Sequence, residues 1–201
     1  MTENDPRDKS GTRERLMNAA VDLMAEHGYK GASTKDIAAA AGVSEMTLFR
    51  QFGSKLNMLE EAVDRYYYTV EFRKLFAERI VWELERDLRL IGETYHELME
   101  RNSRILLIFQ SESRSIPSLA DRIRKHPLAL QEMLTGYLAA MKEKGKLADV
   151  DPATNAASYL WLHHGAFLSR APGGSNLLAG LPIADFVDNG AKLFARALSP
   201  R

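Results

Sequence analysis

Between Ser33 and Lys55 the chain starts a helix three times and stops one at a glycine, and this punctuation constrains the fold more than any other feature. Ser33 followed by Asp36 is capping-box-like. The hydroxyl is placed to accept from a helix amide without an intrahelical partner, while the carboxylate reaches back and favours the positive end of the helix dipole. Ile37, Ala38 and Ala41 recur on one face, and Gly42 stands where a left-handed residue ends a helix without a Cβ clash. Ser44 is the next N-cap, Leu48, Phe49 and Phe52 form an inward stripe, and Gly53-Ser54 ends this second helix and caps a third from Lys55. Two short helices meeting at a glycine predict a helix-turn-helix, whose first helix crosses the DNA backbone while the second lies in the major groove.

The exposed positions of that second helix suit base reading. Glu45 supplies an acceptor, Met46 a thymine-methyl contact, Thr47 a hydroxyl, Arg50 a bidentate guanine reader and Gln51 a bidentate adenine reader. Gly28-Tyr29-Lys30-Gly31, then Ser33-Thr34-x-x-Ile37-Ala38-x-x-Ala41-Gly42-Val43-Ser44-x-x-Thr47-Leu48-Phe49-x-x-Phe52-x-Ser54-Lys55, closely resembles the N-terminal domain of the TetR (tetracycline-repressor-like) family of bacterial transcriptional regulators. The resemblance covers roughly residues 10–60; beyond that only the architecture is comparable. It implies that Phe49 stands where an aromatic, usually Tyr, packs and touches the DNA backbone, and that Lys55 contacts phosphate from the start of the fourth helix. Leu56 replaces the usual acidic residue, and Arg50-Gln51 stand where an aromatic or basic residue is often found. The expected DNA-binding set is Ser33, Thr34, Lys35, Ser44, Glu45, Met46, Thr47, Phe49, Arg50, Gln51 and Lys55.

Charge composition is evidence against a sequence-blind polyanion binder rather than an exclusion of it. Lys plus Arg equals Asp plus Glu at 27 each, and residues 9–55 carry seven basic and five acidic side chains, a net of only +2. Any positive DNA face must come from arrangement. A chain of 201 residues with 45% apolar content has enough length for a substantial core. The absence of cysteine excludes disulfides and thiolate metal sites and fits a reducing cytoplasm. The N-terminus lacks the basic and apolar regions of a secretory leader, no apolar run reaches the roughly 18 residues a membrane helix needs, and the first nine residues read as a mobile arm, with Lys9 and Arg13 near enough to touch phosphate.

Every long segment has helical period, so the expected fold is all-α: a three-helix DNA-binding domain over 10–56 joined to a larger helical effector and dimerisation domain over 57–201. The first helix, about 12–27, puts Leu16, Ala19, Ala20, Leu23 and Met24 on one stripe and ends at Gly28. The fourth runs from Lys55 towards Tyr68 with Leu56, Leu59, Val63, Tyr66, Tyr67 and Val70 inward, a rigid connection between domains. Leu84, Leu88, Ile91, Tyr95 and Leu98 mark another helix, and the apolar run Ile105 to Phe109, lacking a partner strand, reads as a buried helix. Pro127 is taken to open a helix carrying Leu130, Leu134, Tyr137, Leu138 and Met141 and closed by Lys142, Lys144 and Gly145.

Asp151-Pro152 is an N-cap followed by a first-turn proline, opening a helix with Ala156, Ala157, Leu160, Trp161, His164 and Phe167 on one face. After the breaker Ala171-Pro172-Gly173-Gly174-Ser175-Asn176, the last helix presents Phe186, Val187, Gly190, Leu193, Phe194, Ala197 and Leu198. These stripes are wide for a monomer edge, and the resemblance implies that the last two helices pair with a second copy as a four-helix bundle. The expected dimer contacts are Ala157, Trp161, His164, Phe186, Gly190 and Phe194.

Catalytic patterns fail at their defining residues. His96-Glu97 opens like a zincin motif, but position 100 is Glu rather than the second His, and adjacent His163 and His164 point about 100° apart on a helix and cannot share a metal. Neither a Gly-rich phosphate loop nor a serine elbow is present, so no enzyme, metal or cofactor is expected. The resemblance implies a small-molecule pocket in the C-terminal domain, with Trp82, Tyr95, Phe109, Tyr137 and Trp161 as candidates and an apolar or aromatic effector. The reading is a ligand-responsive repressor that binds a palindromic operator as a homodimer and is released by its effector. The alternatives are a helical small-molecule-binding or enzymatic protein without specific DNA binding, and a structural interaction module.

Overall fold

The computed structural model describes residues 6–66, 69–112, 115–170, 174–176 and 178–200, and among these all regular structure is helical. In chain order the elements are α1 (Pro6–Gly31), α2 (Thr34–Ala40), α3 (Glu45–Phe52), α4 (Lys55–Tyr66), α5 (Thr69–Lys74) with a π-helical turn (Leu75–Arg79), α6 (Leu84–Arg101), α7 (Ser103–Glu112), α8 (Pro117–Glu143), α9 (Pro152–Arg170) and α10 (Ile183–Leu198). They form two compact units: α1–α4 with α7 and the start of α8, and α5–α6 with the rest of α8, α9 and α10.

In the first unit α1 packs along α2, α4 and α7. Leu16, Ala20 and Met24 are fully covered, and Met17 and Val21 join them where Ala19 and Leu23 were expected and are only half-buried. Helical backbone breaks at Gly28, whose φ of 74° and ψ of 166° favour a residue without Cβ. Residues 6–9, expected in a mobile arm, are helical here, while the Lys9 side chain lies outside the described residues. On α4 the buried stripe is Met58, Leu59, Ala62 and Val63, and Leu56 is only half-covered. Tyr67, Tyr68 and the Tyr66 side chain lie outside the described residues, and Val70 on α5 is exposed rather than inward. The Ile105 to Phe109 run is helical, as α7, and buries Ile105 and Ile108. Arg104 pairs with Asp22, Arg122 with Asp64 and Glu60, and Glu112 accepts from the Tyr29 amide at 3.1 Å.

In the second unit α6 packs along α10 and α9. Leu84, Leu88, Ile91, Tyr95 and Leu98 are all buried, as their period predicts. Gly92 permits this approach: a Cβ there would stand 2.8 Å from His163 Cε1 and 2.9 Å from Val187 Cγ1. Pro127 does not open α8 but lies inside it, and Pro117 is its first residue. The proline forfeits one backbone bond, at roughly 3 kcal/mol. Leu119 on one side and Leu130, Leu134 and Leu138 on the other are buried and outweigh that loss. The C-terminus of α8 closes as expected, with Gly145 at φ 68° and its amide on the Lys142 carbonyl, and the Lys146 amide on the Met141 carbonyl. Asp151 caps α9 through the Thr154 amide at 2.8 Å.

The α9 stripe is turned relative to expectation. Its inward residues are Ala156, Tyr159, His163 and Ala166, while Leu160 and Phe167 are half-buried and Trp161 is 67% exposed. The inward Tyr159 donates to the Leu88 carbonyl at 2.6 Å, and His163 Nδ1 lies 3.1 Å from His96 Nε2, while the buried His163 Nε2 has no hydrogen-bond partner among the described residues. On α10 the inward residues are Val187, Gly190, Ala191, Ala195 and Leu198, while Phe186 and Phe194 are half-buried and Leu193 and Ala197 exposed.

Candidate nucleic-acid interface

The turn between α2 and α3 is built from hydrogen bonds that the sequence specifies. Ser33 Oγ accepts from the Asp36 amide at 3.1 Å and donates its proton to the Asp36 carboxylate, which therefore meets the hydroxyl rather than the backbone amide expected of it. Gly42 adopts φ 70°, its amide bonds the Ala39 carbonyl at 3.0 Å, and the Val43 amide bonds the Ala38 carbonyl at 2.9 Å. This pair closes α2 as a Schellman motif. Ser44 caps α3, accepting from the Thr47 amide at 3.2 Å and sharing a 3.0 Å bond with the Thr47 hydroxyl. The Thr34 hydroxyl bonds the Glu45 carboxylate, tying the start of α2 to the start of α3. Gly53 at φ 73° ends α3, and Ser54 Oγ accepts from the Asn57 amide at 3.0 Å to begin α4.

Leu48 and Phe52 anchor α3 in the first unit, and the helix then presents Glu45, Met46, Phe49 and Arg50 outward. Phe49 is 46% exposed, so it is not part of the inward stripe; the 3.6-residue period carries it past the edge. Met46 is 80% exposed, an arrangement that leaves a thioether free for apolar contact. Ser33, Lys35 and Ser44 are exposed, and Thr34, Thr47 and Gln51 are half-buried.

Four of the cations on this unit divide into two pairs. Lys35 and Arg50 are exposed and hold no ion pair among the described residues. Arg13 and Lys55 are turned inward. The Lys55 ammonium donates to the Tyr29 carbonyl at 2.6 Å and the Ala32 carbonyl at 2.9 Å and lies 4.3 Å from the Tyr29 ring centroid, so it caps the C-terminal end of α1. Burial lowers its pKa, against a smaller opposing pull from Glu112. Two of its three protons are occupied and one is left for an outside acceptor. Arg13 binds the Gln51 carbonyl at 2.7 Å and pairs with Glu61, rather than projecting toward phosphate.

The five pocket candidates are not gathered in one place. Trp82 and Tyr137 stack at 5.7 Å with an interplanar angle of 27°. Behind them the fully buried Asp87 accepts from the Tyr137 hydroxyl at 2.8 Å and the Val81 amide at 2.9 Å. Burial and the Asp87 bond push the Tyr137 pKa up. Trp82 has a left-handed backbone, φ 63°, costing about 1–2 kcal/mol. Its place is held by the stacking, by Lys146 on its carbonyl at 2.9 Å and by the Lys144 ammonium 4.7 Å from its ring. Tyr95 is buried elsewhere, its hydroxyl 2.8 Å from His164 Nδ1. Trp161 lies on the outer face of α9 against the edge of His164, and so lines no interior. The Phe109 side chain lies outside the described residues, on a helix of the other unit.

Sequence reasoning missed Asp87, which lies among helix-face charges yet is fully buried; His163, which cannot share a metal with His164, is a core histidine that burial pushes from the usual value to about 3, with a further lowering from His96. Burial, then Arg170, brings His96 to about 4. Among the described residues no group of three His, Cys, Asp or Glu is placed to hold a metal, and no helix is long and apolar enough to cross a membrane.

The capped α2–α3 pair and the separate helical C-terminal unit define a helix-turn-helix DNA-binding transcriptional regulator. The chain belongs to the TetR family: residues 16–62 match the model of bacterial regulatory proteins of the tetR family, and residues 86–198 that of the C-terminal domain of AefR-like transcriptional repressors. It is 27% identical over 188 residues to the helix-turn-helix-type regulator YvkB of Bacillus subtilis, covering 94% of this chain and 97% of that protein. It is 25% identical over 185 residues to the transcriptional repressor AcnR of Corynebacterium efficiens, covering 90% and 93%. The fold is shared with a transcriptional regulator of Saccharomonospora viridis solved in complex with choline, at a TM-score of 0.76 and 19% identity over 96% of this chain and all of that one.

Proposed function

We propose that this regulator is a cytoplasmic repressor that binds a palindromic operator as a homodimer and is released by a small apolar or aromatic effector. The observation that carries the DNA-binding half is the exposed Arg50, without an ion pair among the described residues, beside Met46 and Thr47 on a helix capped at both ends. The proposed division of labour assigns 10–56 to DNA and 57–201 to effector and partner. Arg50, Gln51, Thr47 and Met46 face base edges; Ser33, Thr34, Lys35, Ser44, Phe49 and the remaining Lys55 proton face the backbone, with Glu45 orienting α2 and α3.

A second copy of the chain is the proposed cover for the outer faces of α9 and α10, where Trp161 and Leu193 are exposed beside half-buried Ala157, His164, Phe186 and Phe194 and the close-packed Gly190. A stable dimer buries at least about 1,000 Å². The Trp82–Tyr137 stack is the proposed centre of the effector site, since these two pocket candidates meet face to face. Repression is the function that the name of AcnR gives that relative, and it is proposed here by the family relationship.

Selection of bound duplexes from random DNA by the full chain tests the reading. The expected result is a palindrome whose half-sites are about 34–36 Å apart or a multiple of that. Apolar and aromatic metabolites that raise the melting temperature are then titrated with and without operator. A coupling of about 1–3 kcal/mol changes effector affinity about 5- to 150-fold between the two states. Ligand affinity without saturable duplex affinity would assign the chain to the alternative, a small-molecule-binding protein that keeps the hairpin only as scaffold.

A further inference from the structure

Arg13 belongs to α1, yet its guanidinium is committed to the end of α3. Nη1 donates to the Gln51 carbonyl at 2.7 Å and to Gln51 Oε1 at 3.4 Å, and Nη2 pairs with the Glu61 carboxylate on α4. The guanidinium carbon lies 4.3 Å from the centroid of the buried Phe52 ring. Carbonyl, carboxylate and ring therefore hold the fork from three sides, and a planar guanidinium so fixed presents its N–H groups in set directions.

The consequence falls on Gln51. A glutamine that reads adenine uses both ends of its amide side by side, Oε1 accepting from N6 and Nε2 donating to N7. With Oε1 turned to Arg13, one of its two lone pairs is engaged, and the amide is biased toward donation through Nε2. Guanine shows two adjacent acceptors, N7 and O6, which suit an amide biased toward donation; adenine pairs one acceptor with an amino group whose partner oxygen is already partly engaged.

We propose that Arg13 is a specificity-setting positioning residue, which by holding Gln51 Oε1 makes Gln51 a donor that reads guanine in preference to adenine. This rests on α3 being the helix that enters the major groove. It replaces the adenine-reading role that residue type alone assigns to Gln51. Arg13 itself need not touch DNA.

The test is duplex selection with the full-length wild type, Arg13→Met, Arg13→Lys, Gln51→Ala and the Arg13→Met/Gln51→Ala double variant, with melting temperatures alongside. Wild type is expected to favour guanine over adenine about three- to tenfold at one position of each half-site, the worth of one hydrogen bond. Arg13→Met keeps an apolar stem against Phe52 and frees Oε1, so adenine should rise to parity or above. Arg13→Lys, which donates without the fork, should fall between. Gln51→Ala should erase the preference, and adding Arg13→Met should change nothing further there. An adenine preference in the wild type overturns the proposal whatever the variants do. So does an Arg13→Met protein that melts lower and binds all duplexes more weakly with an unchanged base ratio, since that is a purely structural role. Failure of the wild type to bind any duplex saturably is a different result and overturns the DNA-binding reading itself.

Discussion

The surface around α3 and the outer face of α9 and α10 are built in opposite ways. On the first, Ser33, Ser44, Ser54, Thr34 and Arg13 each spend a hydrogen bond on fixing backbone or a neighbouring side chain, and the outward groups stand on a rigid frame. On the second, Trp161 and Leu193 are exposed on helices whose inward faces are already buried. A surface of the first kind recognises a partner by placed donors and acceptors. A surface of the second kind gains by removing apolar area from water, at about 25 cal/mol per Å², with little demand on individual geometry. Substitutions should therefore act by direction and specificity on α3, and by association on α9 and α10.

The largest expected effect sharpens this contrast on α9 itself. If the proposed dimer forms through α9 and α10, Trp161→Glu or Leu193→Glu is expected to convert it into a monomer at micromolar concentration, a loss of about 3 kcal/mol or more of association, while the fold persists by circular dichroism. Tyr159→Ala, on the opposite face of α9, is expected to cost about 3–5 kcal/mol of folding stability in urea unfolding, because it loses the Phe194 ring contact at 5.0 Å and the bond to Leu88. Dimers unchanged by both glutamates in light scattering would break the contrast.

The same two regions differ in how far they are legible in the sequence. In α2 and α3, Ser33, Gly42, Ser44 and Gly53 act within one turn of their own position, so residue identity is nearly sufficient to place them. Ala157, Leu160, Trp161 and His164 share a helical face as expected, but α9 is apolar around much of its circumference and its period alone does not choose the side that α6 and α10 cover. The core took Tyr159, whose hydroxyl bonds the Leu88 carbonyl, and His163, whose Nδ1 meets His96, and left Trp161 outside. The inward turn of Arg13 was equally hidden. Its partners Gln51 and Glu61 are 38 and 48 residues away, and nothing local marks the encounter. The pocket was least legible, because aromatic side chains fill helical interiors whether or not they line a cavity.

Acid should expose the polar core of the second unit. His163 and His96, brought to about 3 and about 4 in the folded chain, have values near 6.5 when unfolded. Their contribution to stability is complete above pH 6.5 and is lost as pH falls towards 4 and then 3, because the unfolded chain takes up the protons first. For the fully buried His163 the slope approaches about 1.4 kcal/mol per pH unit. Urea unfolding at pH 7, 5.5 and 4.5 measures it, and His163→Gln should flatten the dependence; an unchanged slope would show that carboxylates carry the acid sensitivity.

Arg50→Ala should act on the other region and in another way. It is expected to cost roughly 1–3 kcal/mol of operator affinity and to relax preference at one position per half-site, with folding stability within about 0.5 kcal/mol of wild type, since Arg50 is exposed and holds no bond within the described chain. Equal weakening on operator and random duplexes would instead make Arg50 a phosphate contact.

The smallest effect separates frame from contact at a single residue. Ser44 caps α3 through the Thr47 amide and also holds the Thr47 hydroxyl, so Ser44→Ala leaves a helix amide without its acceptor and frees a candidate base-reading group. Loss of the cap is expected to lower stability by about 1 kcal/mol, seen as a lower urea midpoint. Ser44→Asp restores an acceptor of good capping chemistry and adds a negative charge at the positive end of α3, so stability should return to wild type or slightly above. The same charge faces the phosphates if α3 enters the groove, and operator affinity should then fall below that of Ser44→Ala. The sign reverses between the two measurements only if Ser44 sits at both a helix start and a DNA surface. An aspartate that restores stability and binding together would leave α3 well capped but remove its N-terminus from the interface.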